Sequence, residues 1–160
     1  MDMTLLAQTV SLALPAAWLT LGVRDNILHP TVNETYTAQV FTMERMAADY
    51  PEEYARVSHR SIKHRAPQRA AFYLVVFAEL VTTITLWIGV GLLAAALFDL
   101  VALDMAHPVA MLGALMFTTI WAMFTVVGNH FSYWFCHEGA QNTHFQLTLW
   151  GMANLIFLSL

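Results

Sequence analysis

The distribution of cations constrains this chain more than any other feature of its sequence. All seven lysines and arginines lie between Arg24 and Arg69, and none occurs from Ala70 to Leu160. Because cations are costly inside a bilayer, a long cation-free stretch is typical of membrane-embedded protein. Only 11% of the residues are charged and 58% are hydrophobic, whereas soluble domains carry about 25% charged residues. The sequence therefore argues against a soluble domain and predicts a polytopic membrane protein.

Apolar segments of suitable length predict a single all-α membrane domain, 1–160, that forms a four-transmembrane-helix bundle. A helix needs about 20 residues to cross about 30 Å of hydrocarbon, and lipid offers no partner for unpaired backbone groups, which favours helices. Pro108 is expected at the first position of the third helix, because proline lacks the donor that is orphaned there. The fourth segment crosses only if His144 and the terminal carboxylate lie near the interfaces. The predicted spans are 5–23, 70–98, 108–129 and 145–160, with an extramembrane cap at 24–69.

Four crossings place the cap and the connection 130–144 on the same side of the membrane, here called the thick face. The cap contains no glycine, and its apolar residues are spaced as in one or two short helices, which predicts a partly helical, ordered structure. A further helix is expected to start at Pro51, with Glu52 and Glu53 in its first turn, where carboxylates interact favourably with the helix dipole. Nearly all polar surface therefore faces one compartment.

A basic run precedes the second predicted span. Long cationic side chains near a helix end commonly extend to the lipid headgroups. The run therefore predicts either general headgroup contact or a specific lipid or protein partner. The expected partners are phospholipids and other membrane-protein subunits, and no nucleic-acid partner is predicted. The run comprises Arg56, Arg60, Lys63, Arg65 and Arg69.

Glu79 is the strongest single-residue signal within a predicted span. It lies nine residues into the second span, about 13 Å of helix rise from Ala70, and an ionisable residue at that depth is a candidate functional site. Thr82 and Thr83 follow on the same helical face. Glu79 could tie the bundle together, relay protons, bind a quinone or another substrate, or contact another subunit. The candidate partners on other spans are Thr118, Thr119 and Asn154.

Histidines near the thick face raise a metal hypothesis, but their spacing argues against it. His130, His137 and His144 recur every seven residues, which separates neighbours on a continuous helix by about 10.5 Å, and Gly139 is expected to interrupt that helix. Metal pairs on helices use i,i+3 or i,i+4 spacing. No metal, haem or other cofactor is therefore predicted, while contact with a bound lipid or quinone stays open. If a metal site were present, its candidate ligands would be His59, His64, His130, His137 and His144.

Several groups of residues, spread over nearly the whole chain, carry a family resemblance. They are residues 60–62, 73–80 with Glu79, 86–89, Asp25–Asn26 with Asn33, Val40 and Met43, and Trp121 with 126–128 and 131–135. In these residues the chain resembles a bacterial family of predicted small integral membrane proteins that is classed as a domain of unknown function. The resemblance implies a four-helix fold, a bacterial inner membrane and a glutamate at the position of Glu79. It implies no known reaction.

Two arguments about orientation disagree. The positive-inside rule places the cation-bearing cap in the cytoplasm. The resemblance implies a periplasmic thick face with cytoplasmic termini, because relatives carry arginines directly after the second span, where this chain has Asp99 and Asp104. Homologous bundles seldom invert, so we favour the periplasmic thick face.

Three functions remain open at this stage. The favoured one is an accessory or structural subunit of a larger inner-membrane complex, such as a respiratory or photosynthetic electron-transfer assembly. The second is a small protein that handles ions, protons or small molecules through Glu79, and the third is a metal- or cofactor-binding protein that uses the histidine-bearing face. The sequence shows no G-x-S-x-G, P-loop or C-x-x-C motif, which favours a protein without catalytic activity of its own.

Overall fold

The computed structural model describes residues 2–160, and these form eight α-helices, one 3₁₀ helix and no strand. The first residue of the predicted domain 1–160, Met1, lies outside the described residues. The all-α fold predicted from the sequence is confirmed. The elements are α1 (Met3–Leu28), α2 (Pro30–Thr42), α3 (Glu44–Asp49), α4 (Pro51–Val57), the 3₁₀ helix (Ser58–Arg60), α5 (Arg65–Ala96), α6 (Leu103–His130), α7 (Tyr133–Cys136) and α8 (Glu138–Leu158).

Within residues 2–160, the helices α1, α5 and α6 are long and apolar enough to cross a membrane. They have 26, 32 and 28 residues, more than the roughly 20 that a span needs, so each tilts or extends beyond the hydrocarbon. The fourth predicted span is not confirmed. The helix concerned, α8, has 21 residues, but its first half carries polar side chains such as Gln141, Asn142 and His144, which lower its hydropathy.

The helix α8 runs back along α6 and brings the two termini to the same end of the molecule. His144 stacks on Phe124 with ring centroids 4.6 Å apart, and further along α8 the side chain of Asn154 meets Ser11 of α1. Near the end of α8, the backbone carbonyl of Phe157 accepts a hydrogen bond from Gln8 at 2.9 Å. The bundle therefore consists of α1, α5, α6 and α8, whether or not α8 crosses the bilayer completely.

Together, α1 and α2 form a nearly continuous helical path beside α5. Only His29, with φ −132° and ψ 53°, separates them, and Pro30 starts α2. The contacts run in antiparallel order and join Thr20 to Trp87, Asn26 to Glu79, Glu34 to Arg69 and Phe41 to Ile62. The N-terminal part of α5 therefore extends together with α2 beyond the end of α1. The cap continues the bundle at that end of the molecule.

Small residues allow the bundle helices to approach closely. A Cβ built on Gly89 of α5 would lie 2.8 Å from the Cα of Ala110 on α6, and one on Gly113 would lie 3.1 Å from the Cα of Leu86. Membrane helices associate mainly by this kind of close van der Waals packing, since lipid removes the usual hydrophobic driving force. The core between them is filled by large apolar side chains, including Leu12, Leu19, Leu93 and Phe117.

The cap contains α2, α3, α4 and the 3₁₀ helix, which confirms that it is partly helical, and it has an apolar core of its own. Met43, Met46 and Phe131 are buried there. The predicted helix start at Pro51 is also confirmed, because α4 begins at that residue. Since Phe131 belongs to the connection between α6 and α8, the cap core is completed by a distant part of the chain. Partly buried residues around it are Val40, Phe41, Tyr54, Val57, Ile62, Phe135 and Cys136.

The expected start of the third long helix at Pro108 is wrong. The helix α6 begins five residues earlier, at Leu103, and Pro108 lies inside it. A proline removes only one intrahelical hydrogen bond, whereas backbone groups near the hydrocarbon need partners throughout. The balance favours continuing the helix through the proline. The same reasoning covers Pro15, which lies inside α1.

The expected interruption at Gly139 is also wrong, because Gly139 lies inside α8. The chain instead breaks at Ser132, which has a left-handed φ of 52°, and again at His137. Between the breaks, Tyr133 packs into a notch at Gly128, where any Cβ would overlap its ring. The position of the break is therefore determined by the burial of Phe131 and Tyr133. The conformational freedom of Gly139 does not determine it.

Candidate functional site

Glu79 lies on the buried face of α5, opposite the end of α1. Its side chain is 5% exposed, and Asn26 donates a hydrogen bond from Nδ2 to Glu79 Oε2 at 2.9 Å. Asn33 of α2 donates in turn from its Nδ2 to Asn26 Oδ1 at 2.6 Å. Because Asn33 is exposed, the three side chains link a buried carboxyl group to the surface of the cap. The chain of hydrogen bonds joins α1, α2 and α5.

The threonines that follow Glu79 do not bind its carboxyl group. Thr83 donates from Oγ1 to the backbone carbonyl of Glu79 at 2.8 Å, an ordinary helical contact. Thr82 is fully buried, and its hydroxyl has no hydrogen-bond partner within residues 2–160. Of the three described side chains, only Glu79 forms a side-chain hydrogen bond with another helix.

The candidates on α6 and α8 lie in other contacts. Asn154 accepts a hydrogen bond from the hydroxyl of Ser11 at 2.9 Å, which ties α8 to α1. Thr118 and Thr119 donate to carbonyls of their own helix. The sequence singled out Glu79 by its depth in the second predicted span, and in the structure its hydrogen-bond partner is Asn26, near the end of α1.

The basic run divides into paired and unpaired members. Glu34 of α2 is almost buried, and its Oε1 lies 3.2 Å from Arg65 Nη2 and 3.3 Å from Arg69 Nε. These ion pairs fix α2 to the start of α5. Arg60 donates from Nη1 to the backbone carbonyl of His130 at a long 3.4 Å.

Arg56 and Lys63 are the remaining members of the run. Both are exposed, and neither forms an ion pair or a side-chain hydrogen bond with any residue in 2–160. The five cations therefore do not form one site. Three of them help to hold the cap together, and two are free to contact a ligand or a surface.

Two histidines bind tyrosines inside the thick face. Tyr36 Oη lies 2.9 Å from His137 Nδ1. Burial lowers the pKa of His137, with a smaller contribution from Arg45, and burial raises the pKa of Tyr36. The imidazole is therefore neutral near pH 7 and the phenol keeps its proton, so Tyr36 donates and His137 accepts. This bond joins α2 to the residue just before α8.

A second histidine–tyrosine pair lies where α7 meets α8. Tyr133 Oη is 3.2 Å from His144 Nδ1. Burial, with a smaller contribution from Tyr36, raises the pKa of Tyr133 to about 12, so its hydroxyl stays protonated and can donate. The His144 ring is stacked on Trp121 and Phe124, and the indole nitrogen of Trp121 has no partner within residues 2–160.

The histidines are not gathered around a common point. In the part of the chain that the structure describes, no group of three His, Cys, Asp or Glu side chains could hold a metal ion. His59, His64 and His130 are exposed, whereas His137 and His144 each hydrogen-bond a tyrosine.

Sequence reasoning missed several residues that the structure places at these contacts. Tyr36 and His137 are 101 positions apart, and no local spacing connects them. Glu34 was one of several loop carboxylates, and nothing in its neighbourhood marked it as buried. Of these four residues, only Asn26 was marked by the sequence, because it belongs to the residues that carry the family resemblance.

Comparison with known families identifies a matching family model. A family model with the description "Predicted small integral membrane protein (DUF2165)" matches residues 4–160. The matched region includes the cap and the bundle helices, except for Met3, the first residue of α1. No curated protein and no solved structure matches the chain.

Proposed function

The chain belongs to the DUF2165 family of predicted small integral membrane proteins, and we propose that it is an accessory subunit of a larger bacterial inner-membrane complex. In this role it has no catalytic activity of its own. It contributes bundle helices to the complex within the membrane and presents the raised cap on one side. An electron-transfer assembly, respiratory or photosynthetic, is the kind of complex proposed.

The observation that carries the proposal is that the polar side chains of the candidate site bind one another across helices. Glu79 binds Asn26, Asn154 binds Ser11, and Glu34 binds two arginines. Interhelical polar contacts of this kind stabilise membrane bundles. They support a scaffold whose buried polar groups hold the helices and the cap in a fixed arrangement.

The outer surface of the bundle supports the same proposal. Large apolar side chains on several helices are exposed, among them Trp18, Trp87 and Phe77. These side chains contact lipid tails or the helices of other subunits. Tryptophan is also typical of positions near the membrane interface.

Purification in a mild detergent tests the subunit role. The full-length protein, carrying a tag after Leu160, is extracted from its native membrane, and the co-purifying chains are identified by mass spectrometry. We expect a reproducible set of membrane proteins in fixed ratio to this chain, while a monodisperse lone protein contradicts the proposal. A visible spectrum of the same sample tests the electron-transfer part: absence of haem or iron–sulfur absorption from the partners removes that assignment and leaves the subunit role standing.

We propose a periplasmic cap and cytoplasmic termini for the orientation. The support is the family resemblance, set against the cation count of the cap. Both termini of the bundle lie at the same end, because α8 returns to α1. A topology reporter fused after Leu160 is expected to be active in the cytoplasm, and activity in the periplasm reverses the assignment.

A second candidate function is proton handling through Glu79. The hydrogen-bonded chain from Glu79 through Asn26 to the exposed Asn33 favours it, since it gives a buried carboxyl group a polar connection to the aqueous side. Reconstitution in liposomes that contain a pH-sensitive dye tests this function. Proton flux above that of empty liposomes, lost in Glu79→Gln, supports it, and flux equal to that of empty liposomes contradicts it.

A further inference from the structure

The segment 132–137, which contains α7, is a short link between α6 and α8 with a break in the helix at each end. Ser132 has φ 52° and ψ 32°, and His137 has φ −131° and ψ 39°. The left-handed conformation of Ser132 is one that residues other than glycine seldom occupy. The contacts that the segment makes with its surroundings must therefore hold it in place.

One side of the segment is anchored in the bundle. Tyr133 is 4% exposed, and its ring fills the notch at Gly128 of α6. Its hydroxyl lies 3.2 Å from His144 Nδ1 of α8. Movement of the segment away from α6 would empty the notch, which is costly. The segment therefore stays with the bundle when other contacts are broken.

The other side of the segment holds the cap through polar and aromatic contacts. The shortest of its side-chain hydrogen bonds joins Tyr36 of α2 to His137 at 2.9 Å. The acceptor of this bond is an imidazole, which ordinarily titrates between pH 5 and pH 8. The remaining contacts are a long hydrogen bond of 3.4 Å from Arg45 to the carbonyl of Cys136 and an edge-on contact between the rings of Tyr50 and Phe135.

The surroundings of His137 oppose a positive charge on its ring. The side chain is 5% exposed, and burial together with Arg45 of α3 lowers its pKa. His137 also immediately precedes α8, whose N-terminal end carries a partial positive charge. The carboxylates of Asp49 on α3 and Glu138 on α8 are exposed, and neither pairs with His137 within residues 2–160. The other titratable neighbours are Tyr36, Tyr133 and Cys136.

A protonated His137 does not fit the place that the neutral ring occupies. Its Nδ1 would carry a hydrogen and could no longer accept one from Tyr36, and the charge would be buried beside Arg45 without a counter-ion. Separation of the cap from the segment hydrates the charge and relieves this repulsion. Because Tyr133 keeps the segment on the bundle, the cap helices are the part that moves.

We propose that His137 is an acid-sensitive clasp between the cap and the bundle. Protonation of its imidazole releases Tyr36, separates α2 and α3 from α7 and uncovers Cys136, while the bundle helices keep their packing. The clasp is independent of the subunit role proposed above. It makes the position of the cap a response to the pH of the compartment that the thick face occupies.

The reactivity of Cys136, which is the single cysteine of the chain, tests the clasp in the detergent-purified full-length protein. Its rate of reaction with 4,4′-dithiodipyridine is measured from pH 7.5 to pH 5 and divided by the rate of a synthetic peptide of residues 133–139. The peptide contains the same cysteine and histidine, so the ratio removes the pH dependence of the thiol itself. Linkage limits the rise of this ratio to about thirtyfold, and we expect about tenfold.

Matched variants identify the group that is responsible. His137→Gln keeps an acceptor for Tyr36 but cannot be protonated, so its ratio should stay constant with pH. His59→Gln removes a histidine that is exposed and forms no side-chain hydrogen bond within residues 2–160, and its ratio should rise as in the unchanged protein. Tyr36→Phe removes only the hydroxyl, and it should raise the ratio already at pH 7.5. Hydrogen exchange in α6 should stay slow at pH 5.

Four outcomes overturn the proposal. A ratio that does not change with pH in the unchanged protein shows that no clasp opens. An equal rise in His137→Gln shows that another group is titrated, and fast exchange in α6 at pH 5 shows that the whole molecule unfolds. If His137→Gln is fully reactive at both pH values, Tyr36→Phe decides: a ratio at pH 7.5 equal to that of the unchanged protein shows that the hydrogen bond does not hold the cap.

Discussion

The bundle core around Leu86 and the cap core around Met43 are both apolar, but they are assembled differently. In the bundle, glycines and alanines bring the helix backbones into contact, as at Gly89 and Ala110. In the cap, short helices are joined by methionine and aromatic side chains, by the Glu34 ion pairs and by the Tyr36–His137 hydrogen bond. The bundle is thus held together mainly by close packing of helix backbones, whereas the cap also uses apolar burial, ion pairs and hydrogen bonds between side chains.

The helix α5 belongs to both regions, and Glu79 lies where one changes into the other. Below it, the buried face of α5 contacts α1 and α6 with apolar and small residues such as Leu86 and Gly89. Above it, the same face contacts α2 and carries Gln68 and Phe72. The difference predicts that the cap can be disrupted without loss of the bundle, while damage to the bundle also displaces the cap.

The largest effect is expected for Phe131→Ala, which should unfold the cap alone. Removing a buried phenylalanine costs about 3–5 kcal/mol, and Phe131 lies at the centre of the cap core. Hydrogen exchange should become fast in α2 to α4 and stay slow in α6. Phe145→Ala, which truncates an exposed aromatic residue, is the control and should change neither. Loss of protection in α6 would show that the two cores are one cooperative unit.

The next largest effect is expected for Gly89→Val in the bundle. The new side chain meets the backbone of Ala110 on α6, and overpacking of this kind costs about 2 kcal/mol. Thermal unfolding in detergent should shift to lower temperature for the whole molecule, including the cap. Gly91→Val is the matched control, because a Cβ there has no neighbour within 4 Å. Equal shifts in both variants would point to helix propensity instead of packing.

A smaller effect is expected at the boundary between the two regions. Asn26→Leu removes the hydrogen bond to Glu79 and leaves a buried carboxyl group without its donor, at a cost of about 1–2 kcal/mol. Adding Glu79→Gln to Asn26→Leu should recover part of that loss, because an amide is less costly to leave unpaired. Additive losses in this double-mutant cycle would show that the two side chains are not coupled.

The smallest effect is expected from pH, and only in the cap. The folded protein lowers the pKa of His137, so the unfolded cap binds more protons below about pH 6.5. The stabilisation is therefore complete above that pH and is lost as the pH falls towards the folded-state value. Proteolysis of the cap should be faster at pH 5 than at pH 7.5, and His137→Gln should reduce the difference. The charged or titratable neighbours Tyr36, Arg45 and Tyr133, and the flanking Cys136 and Glu138, must be kept unchanged.

The sequence was sufficient for features imposed by the membrane itself. Apolar length predicted the α1, α5 and α6 helices because lipid leaves the backbone no alternative partner. The depth of Glu79 in an apolar segment was enough to single it out, since such positions seldom tolerate an ionisable residue. These predictions depend only on how each residue interacts with the lipid environment, which can be judged from its residue type without knowledge of its neighbours in space.

Features that depend on distant contacts could not be predicted. The first span was predicted to end at residue 23, yet α1 continues to Leu28 and α2 starts at Pro30, packed beside α5. Tyr36 and His137 meet only after α6 has returned the chain to the cap. The break at Ser132, instead of Gly139, likewise follows from burial of Tyr133 against Gly128. In each case tertiary packing decides among several locally acceptable conformations.

The contribution of Phe131 and Phe135 to the cap core also determines the order in which the molecule can be completed during synthesis. A ribosome finishes the cap helices long before it reaches these residues, and Met43 and Met46 remain uncovered throughout that interval. The third long helix must be made before its following turn can close over them. The cap core can therefore be completed only after α5 and α6 have been synthesised, because Phe131 and Phe135 follow both helices in the chain.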